Sequence, residues 1–289
     1  MSMDRREFIR RATIGAGVGL VAGAAKAATP PPVAGAAQFS FCVVADPHAA
    51  EEAKDGIAQY GGGVEKFRRC LDAMDEMEGV DRPDFVLLAG DIHPWALEGH
   101  LDDVPFTIYA TPGNHESNRK RREELHALFP DGFRVDGEPS DYYSVVHKGM
   151  RIISMCDAGA GGDHVGQLCS EVIVPAGQCE WLEKELSAPD QRAILFAHIP
   201  PEPKGNDINM FLSRSDSRWL NQLFRATRPE AAFFGHLHGA TREYLIGDTR
   251  CFNVRSCCWN FERAPMGFIH VRVHEQGLVM REIETGHYT

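Results

Sequence analysis

The sequence predicts an α/β fold whose sheets are mixed rather than purely parallel, and two patterns predict it. Short apolar runs alternate along the chain with segments whose apolar residues recur at helical spacing, which is typical of buried strands connected by helices. Two further pairs of segments flank short turns at residues 148–149 and 275–277, and each pair is typical of a β-hairpin. Hairpins add antiparallel strands, so both directions of pairing are expected.

The predicted elements follow one another over most of the chain. The apolar runs expected to form strands lie at residues 39–45, 85–89, 106–110, 193–197 and 231–234. The hairpin strands lie at residues 142–146 with 151–155, and 268–273 with 278–283. Helical spacing occurs at residues 64–77, 181–186 and 219–224, and the third helix is expected to be capped from residues 215–217.

Composition restricts the function classes. A chain of 289 residues, 43% of them hydrophobic, is long enough for one large core. The net charge of -11 argues against non-specific binding to nucleic acid or to an anionic membrane, because both require surplus basic side chains. It does not exclude a small phosphorylated substrate, whose charge bound metal ions can neutralise locally.

The eight cysteines are scattered and include no C-x-x-C spacing, which argues against a disulfide scaffold and a cysteine zinc site. Three cysteines lie within apolar runs and are expected to be buried: Cys42, Cys70 and Cys156. Pairing among Cys251, Cys257 and Cys258 after export stays open.

Residues 1–27 have the layout of a cleavable export signal: a basic start, an apolar stretch and a small-residue triplet. The apolar stretch is shorter than the roughly 20 residues that span a bilayer, so no stable membrane anchor is expected. Arg5 and Arg6, followed by Glu-Phe-Ile-Arg, resemble the bacterial twin-arginine signal, which implies the twin-arginine export machinery as a partner and a periplasmic location. Residues 28–38 are predicted to be a linker and residues 39–289 a single domain.

Metal-binding residue types follow the carboxyl ends of the predicted strands. The ends of strands in an open α/β sheet form a ligand-binding crevice, and imidazole, carboxylate and amide groups suit Mn, Fe or Zn. Small glycines beside these residues are expected to let the backbone turn tightly. The residues concerned are Asp46, His48, Asp91, Asn114, His115, His198, His236 and His238, with Gly90, Gly113 and Gly235.

These blocks, D-x-H, G-D, G-N-H-E, H and G-H-x-H, resemble the calcineurin-like metallophosphoesterase superfamily over residues 39–240. Residues 178–182 are similar to a Gln-x-x-Trp-Leu helix start in the branch that contains cyclic-nucleotide phosphodiesterases and purple acid phosphatases. The resemblance implies an αββα sandwich of two mixed β-sheets flanked by helices. Pro94 stands where purple acid phosphatases have a tyrosine, and the Asp-Arg pair of the Ser/Thr protein phosphatases is absent. The chain is therefore assigned to neither of these two groups.

The resemblance also implies a site with two divalent or trivalent metal ions, either Mn, Fe or Zn. One ion would be held by Asp46, His48 and His238, and the other by Asn114, His198 and His236, with Asp91 bridging them and His115 as the catalytic histidine. Two ions about 3.5 to 4 Å apart can hold a hydroxide and phosphate oxygens for in-line attack. The implied activity is hydrolysis of a small phosphomonoester or phosphodiester.

Several alternatives accompany this interpretation. The domain could be a non-catalytic metal-binding scaffold of the same fold, although every expected ligand position is filled. A nuclease is disfavoured by the acidic charge and the export signal. His93 is interpreted as a surface loop residue. The basic residues 118–122 are interpreted as the solvated start of a helix in preference to a contact for substrate phosphate. Residues 159–166 and 202–214 are either pocket walls or plain loops.

Overall fold

The computed structural model describes residues 35–51, 61–158, 163–168, 177–188, 192–206 and 208–287. The predicted signal and most of the predicted linker lie outside these residues. Within the described part of the chain, no helix is long and apolar enough to cross a membrane.

Thirteen strands and four α-helices are described within those ranges. In chain order they are β1 (Ala37–Val44), α1 (Gly63–Asp75), β2 (Phe85–Ala89), β3 (Thr107–Thr111), α2 (Arg119–Leu128), β4 (Arg134–Val135), β5 (Glu138–Pro139), β6 (Tyr143–His147), β7 (Met150–Ser154), α3 (Gln178–Leu186), β8 (Arg192–Phe196), α4 (Arg214–Thr227), β9 (Ala231–Phe234), β10 (Arg242–Ile246), β11 (Thr249–Asn253), β12 (Met266–His274) and β13 (Gly277–Gly286).

Two mixed sheets contain eleven of these strands, and β4 pairs only with β5. The first sheet has the order β13-β12-β1-β2-β3, with β1, β2 and β3 parallel and β12 antiparallel to both β1 and β13. The second has the order β10-β11-β9-β8-β7-β6, with parallel strands in the centre and an antiparallel strand at each edge. The predicted mixed α/β class is therefore confirmed.

Apolar side chains from both sheets meet in one core. Phe41 of the first sheet lies edge-on to Phe233 of the second, with ring centroids 6.0 Å apart, and Phe233 stacks on Phe252 at 5.4 Å. The same cluster includes Phe67 of α1 and Leu125 of α2. A second cluster joins the second sheet to α3 and α4 through Leu182, Leu220 and Phe224.

The predicted strands and hairpins are confirmed, with small differences at their ends. The runs at 85–89 and 231–234 have the predicted bounds, whereas β1 begins at Ala37, inside the predicted linker. The prediction of the α4 cap from residues 215–217 is wrong. The side chain of Ser213 accepts a hydrogen bond from the backbone N–H of Asp216 and caps this helix.

The basic segment at 118–122 is also only partly as predicted. Asn118 caps α2, and its side chain accepts from the backbone N–H of Arg121. Arg122, however, is fully buried rather than solvated. Its guanidinium donates to the Cys156 sulfur at 3.1 Å and lies 3.9 Å from an Asp141 carboxylate oxygen, because α2 packs this face onto the interior. The prediction that Cys156 is buried is confirmed, as it is for Cys42 and Cys70.

Candidate metal centre

All eight predicted site residues lie together at one edge of the two sheets. The first sheet supplies those that follow β1, β2 and β3, and the second sheet those that follow β8 and β9. The seven predicted ligands are buried, and the His115 side chain is 28% exposed. The strand-end prediction is therefore confirmed as a matter of position, while the role of each residue stays a prediction.

Two groups of possible ligand atoms share Asp91. One contains Asp46, His48, Asp91 and His238, and the other contains Asp91, His198 and His236; within each group these atoms lie within 4.8 Å of one another. The amide oxygen of Asn114 is 3.1 Å from His198 Nε2, which places it beside the second group. The grouping matches the arrangement that the sequence resemblance implies.

The outer nitrogens of these histidines face groups that only accept hydrogen bonds. Nδ1 of His198 donates to the carbonyl of Ala89 at 2.9 Å, and Nδ1 of His238 donates to the carbonyl of Trp259 at 2.8 Å. Nε2 of His236 faces the carbonyl of His164 at 3.2 Å. Nδ1 of His48 lies 3.3 Å from a Glu51 carboxylate oxygen. Such contacts fix the ring orientation of metal-binding histidines. They also leave the lone pair of the inner nitrogen available for a metal ion.

The inner atoms face one another as acceptors. Nε2 of His48 and Nε2 of His238 are 3.0 Å apart, and Nε2 of His198 is 3.2 Å from Asp91 Oδ2. Lone pairs and carboxylate oxygens at such distances repel each other unless a cation or a proton lies between them. The donor set therefore fits bound metal ions chemically, and imidazole with carboxylate suits Mn, Fe or Zn.

The backbone of the site is strained. Asp46, His48, Asp91, His236 and His238 all have φ between 45° and 70°, in the left-handed region that residues other than glycine seldom adopt. Strain of this kind costs about 1–3 kcal/mol for each residue and persists where the surrounding structure enforces it. The fold therefore holds these five side chains in orientations that they would not adopt independently.

Three glycines permit the close approach of neighbouring segments. A Cβ at Gly113 would lie 2.2 Å from Asp91 Oδ1, and one at Gly235 would lie 2.5 Å from Asp46 Oδ2. A Cβ at Gly90 would lie 2.4 Å from His198 Nδ1, and only this glycine of the three also has a positive φ. The expectation of tight turns holds at Gly113 and Gly235 as well, whose carbonyls accept from the backbone N–H groups of Glu116 at 3.0 Å and Leu237 at 2.8 Å. At these two positions the nearby carboxylate is a further reason why a side chain does not fit.

Glu116 holds the loop after β2. This fully buried carboxylate accepts from the backbone N–H groups of Ile92 and His93 through Oε1 and from that of Gly113 through Oε2, at 2.9–3.1 Å. It therefore ties the segment that carries Asp91 to the segment that carries Asn114. The motif G-N-H-E contained this residue, but its supporting role depends on a contact between two loops that sequence spacing does not show.

The interpretation of His93 as a surface loop residue is wrong. Only 4% of His93 is exposed, and its Nε2 lies 2.8 Å from Nδ1 of His115. His48, His93 and His115 form a third group of neighbouring ring nitrogens. Burial, together with the His115 and His48 rings, lowers the pKa of His93 to about 3, so this imidazole is neutral. The sequence contained one signal that His93 belongs to the site. His93 lies two residues after Asp91, just as His48 lies two residues after Asp46.

The walls of the site include aromatic and loop residues that sequence analysis did not assign. The Trp259 ring stacks on His238 with centroids 3.8 Å apart. The described segment 163–168 reaches the site through the carbonyl of His164 beside His236, and Gly166 forms a bridge with Leu212. The described parts of the two polar stretches at 159–166 and 202–214 thus meet near the second group, in agreement with the pocket-wall alternative.

Neighbouring groups in the centre shift one another's pKa strongly. Burial alone lowers the pKa of His198, but the neighbouring Asp91 carboxylate outweighs this effect and raises the pKa to about 10. Burial and the adjacent His198 ring hold the pKa of His236 well below its usual range. We therefore expect His198 to carry a second proton in the metal-free protein at neutral pH.

Comparison with known proteins agrees with this geometry. The sequence profile of the calcineurin-like phosphoesterases matches residues 39–240, so the chain belongs to that family. Family members are metal-dependent phosphoesterases. A protein of Rhodococcus erythropolis described as a probable cyclic nucleotide phosphodiesterase is 28% identical over 178 residues, or 57% of this chain and 55% of that protein. The chain thus matches about half the length of this curated relative.

Solved structures share the fold. A dimetal phosphatase from Danio rerio has a TM-score of 0.62 at 16% identity, over 86% of this chain and 97% of that one. A 5′-nucleotidase from Candida albicans has a TM-score of 0.52 at 13% identity, over 86% of this chain and 51% of that one. At these identities the likeness shows the αββα architecture alone.

We expect Gly235→Ala to weaken metal binding about 10- to 100-fold, because the new methyl group would displace the Asp46 carboxylate. Gly239→Ala is the matched control, since a Cβ there has no neighbour closer than 3.9 Å. The measurement is metal content after dialysis against buffered Mn or Zn. Equal metal content in the two variants would contradict the close-approach argument.

We also expect metal binding to release at least one proton at pH 7.5, because His198 holds a proton in the metal-free protein and must lose it to donate its lone pair. The apparent affinity should then rise about tenfold per pH unit for each proton released. Calorimetric titration with Zn in two buffers of different ionisation enthalpy measures the proton count. A binding heat that is independent of the buffer would show that no proton leaves.

Proposed function

We propose that this protein is a dinuclear metal-dependent phosphoesterase that hydrolyses small phosphate esters. The observation that carries the proposal is the pair of buried donor groups that share the Asp91 carboxylate. Their histidines have outer nitrogens that donate to fixed acceptors and inner lone pairs that converge. Asp46, His48 and His238 would hold one ion, Asn114, His198 and His236 the other, and Asp91 would contact both.

Two bound ions would supply positive charge for the phosphate oxygens and lower the pKa of a coordinated water. The chain contributes the positioning. Buried ligands on strained backbone hold the donor atoms in place, so the centre would need little rearrangement when charge develops on the phosphate.

His115 is suited to contact the substrate. It is the least buried of the eight residues, and its Nε2 lies 3.8 Å from Asp91 Oδ2, beside the shared carboxylate. Its backbone N–H donates to Asp91 Oδ1 at 3.0 Å, which ties its position to the bridging residue. From there the ring would donate a proton or a hydrogen bond to an oxygen of the ester.

The substrate class that we propose to test first is the small phosphodiester, with 3′,5′-cyclic nucleotides as its leading examples. This choice is supported by the relative from Rhodococcus erythropolis, which is described as a probable cyclic nucleotide phosphodiesterase. The acidic net charge of -11 agrees with a small substrate rather than a nucleic acid polymer.

We expect the metal-free protein to hydrolyse neither bis-p-nitrophenyl phosphate nor cyclic AMP, and to gain activity when Mn, Fe or Zn is restored. His115→Ala should lower kcat about 10²- to 10⁴-fold while two ions stay bound, because the lost group acts on substrate and not on metal. Asp91→Asn should lower both activity and metal content. The exposed His100 provides the control His100→Ala, which should behave as the wild type.

Activity that persists after chelation, or that is unchanged in His115→Ala, would contradict the proposed role of this centre. Two bound metal ions without hydrolysis of any phosphomonoester or phosphodiester would instead favour the scaffold alternative.

We also propose that the protein is exported to the periplasm through the signal predicted at residues 1–27, which lie outside the described structure. The support is the twin-arginine pattern that begins at Arg5. Replacing both Arg5 and Arg6 by Lys should retain the protein in the cytoplasm of a bacterial host, as measured by cell fractionation. Arg11→Lys, outside the pattern, is the control, and an unchanged distribution of the double variant would exclude this route.

A further inference from the structure

We propose that His93 is a positioning residue that fixes the tautomer of His115, so that His115 presents an Nε2–H group to the substrate. The inference rests on the proposed function, because it specifies how the histidine assigned to substrate contact is prepared. It is carried by a chain of hydrogen bonds that begins at a backbone amide and ends at His115.

The first contact determines where His93 carries its proton. The backbone N–H of Ala50 donates to Nδ1 of His93 at 3.1 Å. A backbone amide can only donate, so Nδ1 of His93 must be an unprotonated acceptor. A neutral imidazole with a bare Nδ1 carries its hydrogen on Nε2.

The second contact passes this constraint to His115. Nε2 of His93 lies 2.8 Å from Nδ1 of His115, so its N–H donates to that nitrogen. Nδ1 of His115 must then be an acceptor, and the hydrogen of the neutral ring is on Nε2. This nitrogen is the one on the side of Asp91. The hydrogen bonds from Ala50 to His93 and from His93 to His115 therefore direct an N–H donor towards the position expected for the phosphate.

The His93 ring is held firmly enough to act in this way. Its backbone N–H donates to Glu116 at 2.9 Å, and its ring stacks on Trp95 with centroids 4.9 Å apart and planes inclined by 23°. The guanidinium of Arg121 lies over the Trp95 ring at 3.4 Å from its centroid. Hydrogen bonds and stacking thus constrain His93 independently, as expected for a supporting residue of a preorganised site.

An alternative explanation would make His93 a ligand of a further cation, since His48, His93 and His115 form a group of neighbouring nitrogens. The contacts disfavour it. Nδ1 of His93 already accepts from Ala50, and its Nε2 is within hydrogen-bond distance of His115 rather than facing an open space. The two explanations predict different metal contents when His93 is replaced.

The test compares His93→Leu, which removes the donor, with His93→Gln, whose amide N–H can occupy nearly the same position as Nε2. Long-range ¹H–¹⁵N spectra of histidine-labelled, metal-free protein report the tautomer of His115 directly, and the His115→Ala spectrum assigns its signals. Metal content, kcat and KM are measured on the same variants, with His100→Leu as the control for loss of a histidine elsewhere.

We expect His115 to be protonated on Nε2 in the wild type and in His93→Gln, and to populate both tautomers in His93→Leu. In the leucine variant kcat should fall about 10- to 100-fold at unchanged KM and metal content, and the glutamine variant should recover most of that loss. The spectra remain informative even if no ester is hydrolysed, so failure of this inference is distinguishable from failure of the proposed function.

The inference is overturned if His115 keeps the same single tautomer in His93→Leu, or if the glutamine and leucine variants lose activity equally. Loss of one bound metal ion per chain in His93→Leu would overturn it as well, because His93 would then be a ligand.

Discussion

The site depends on the carboxylate of Asp91, which is shared by two groups of buried donors. One oxygen lies 3.2 Å from His198 Nε2 and 3.6 Å from His48 Nε2, and these rings belong to different groups. Because His198 follows a strand of the second sheet, Asp91 also couples the two sheets electrostatically at their common edge. A buried carboxylate among several imidazoles is stable only if protons or metal ions balance the charge. The centre therefore requires bound cations or protons to balance its charge.

Most of the surrounding structure serves to hold that carboxylate and its neighbours in place. Glu116 fixes the backbone beside Asp91, and the glycines at 90, 113 and 235 leave the space in which side chains approach one another. Carbonyl groups of Ala89, His164 and Trp259 set the orientation of three histidines. These contacts come from strand ends and loops of both sheets, so the assembled αββα core is required before any ligand is oriented. Strain at the ligands is the energetic consequence of this arrangement.

Sequence analysis located the fold class, the strand ends and the eight polar side chains that meet there because each depends on local pattern: apolar runs, turn residues and the side chains that follow them. The role of each of these side chains stays a prediction. It failed where the outcome depended on packing between distant segments. His93 and Arg122 have the composition of solvated loop and helix positions, yet both are buried by contacts with residues far away in the chain. The Ser213 cap was missed by two residues because several serines nearby have equal local propensity. Tautomers, which decide the chemistry of histidine, are not encoded in spacing at all.

The most direct test of the shared carboxylate is anomalous diffraction from crystals of the protein loaded with manganese. We expect two anomalous peaks about 3.5–4 Å apart, one on each side of the Asp91 carboxylate and both within coordination distance of it. One peak should be surrounded by Asp46, His48 and His238, and the other by Asn114, His198 and His236. A single peak, or a second peak located between His93 and His115, would show that Asp91 is not shared by two metal ions in this way.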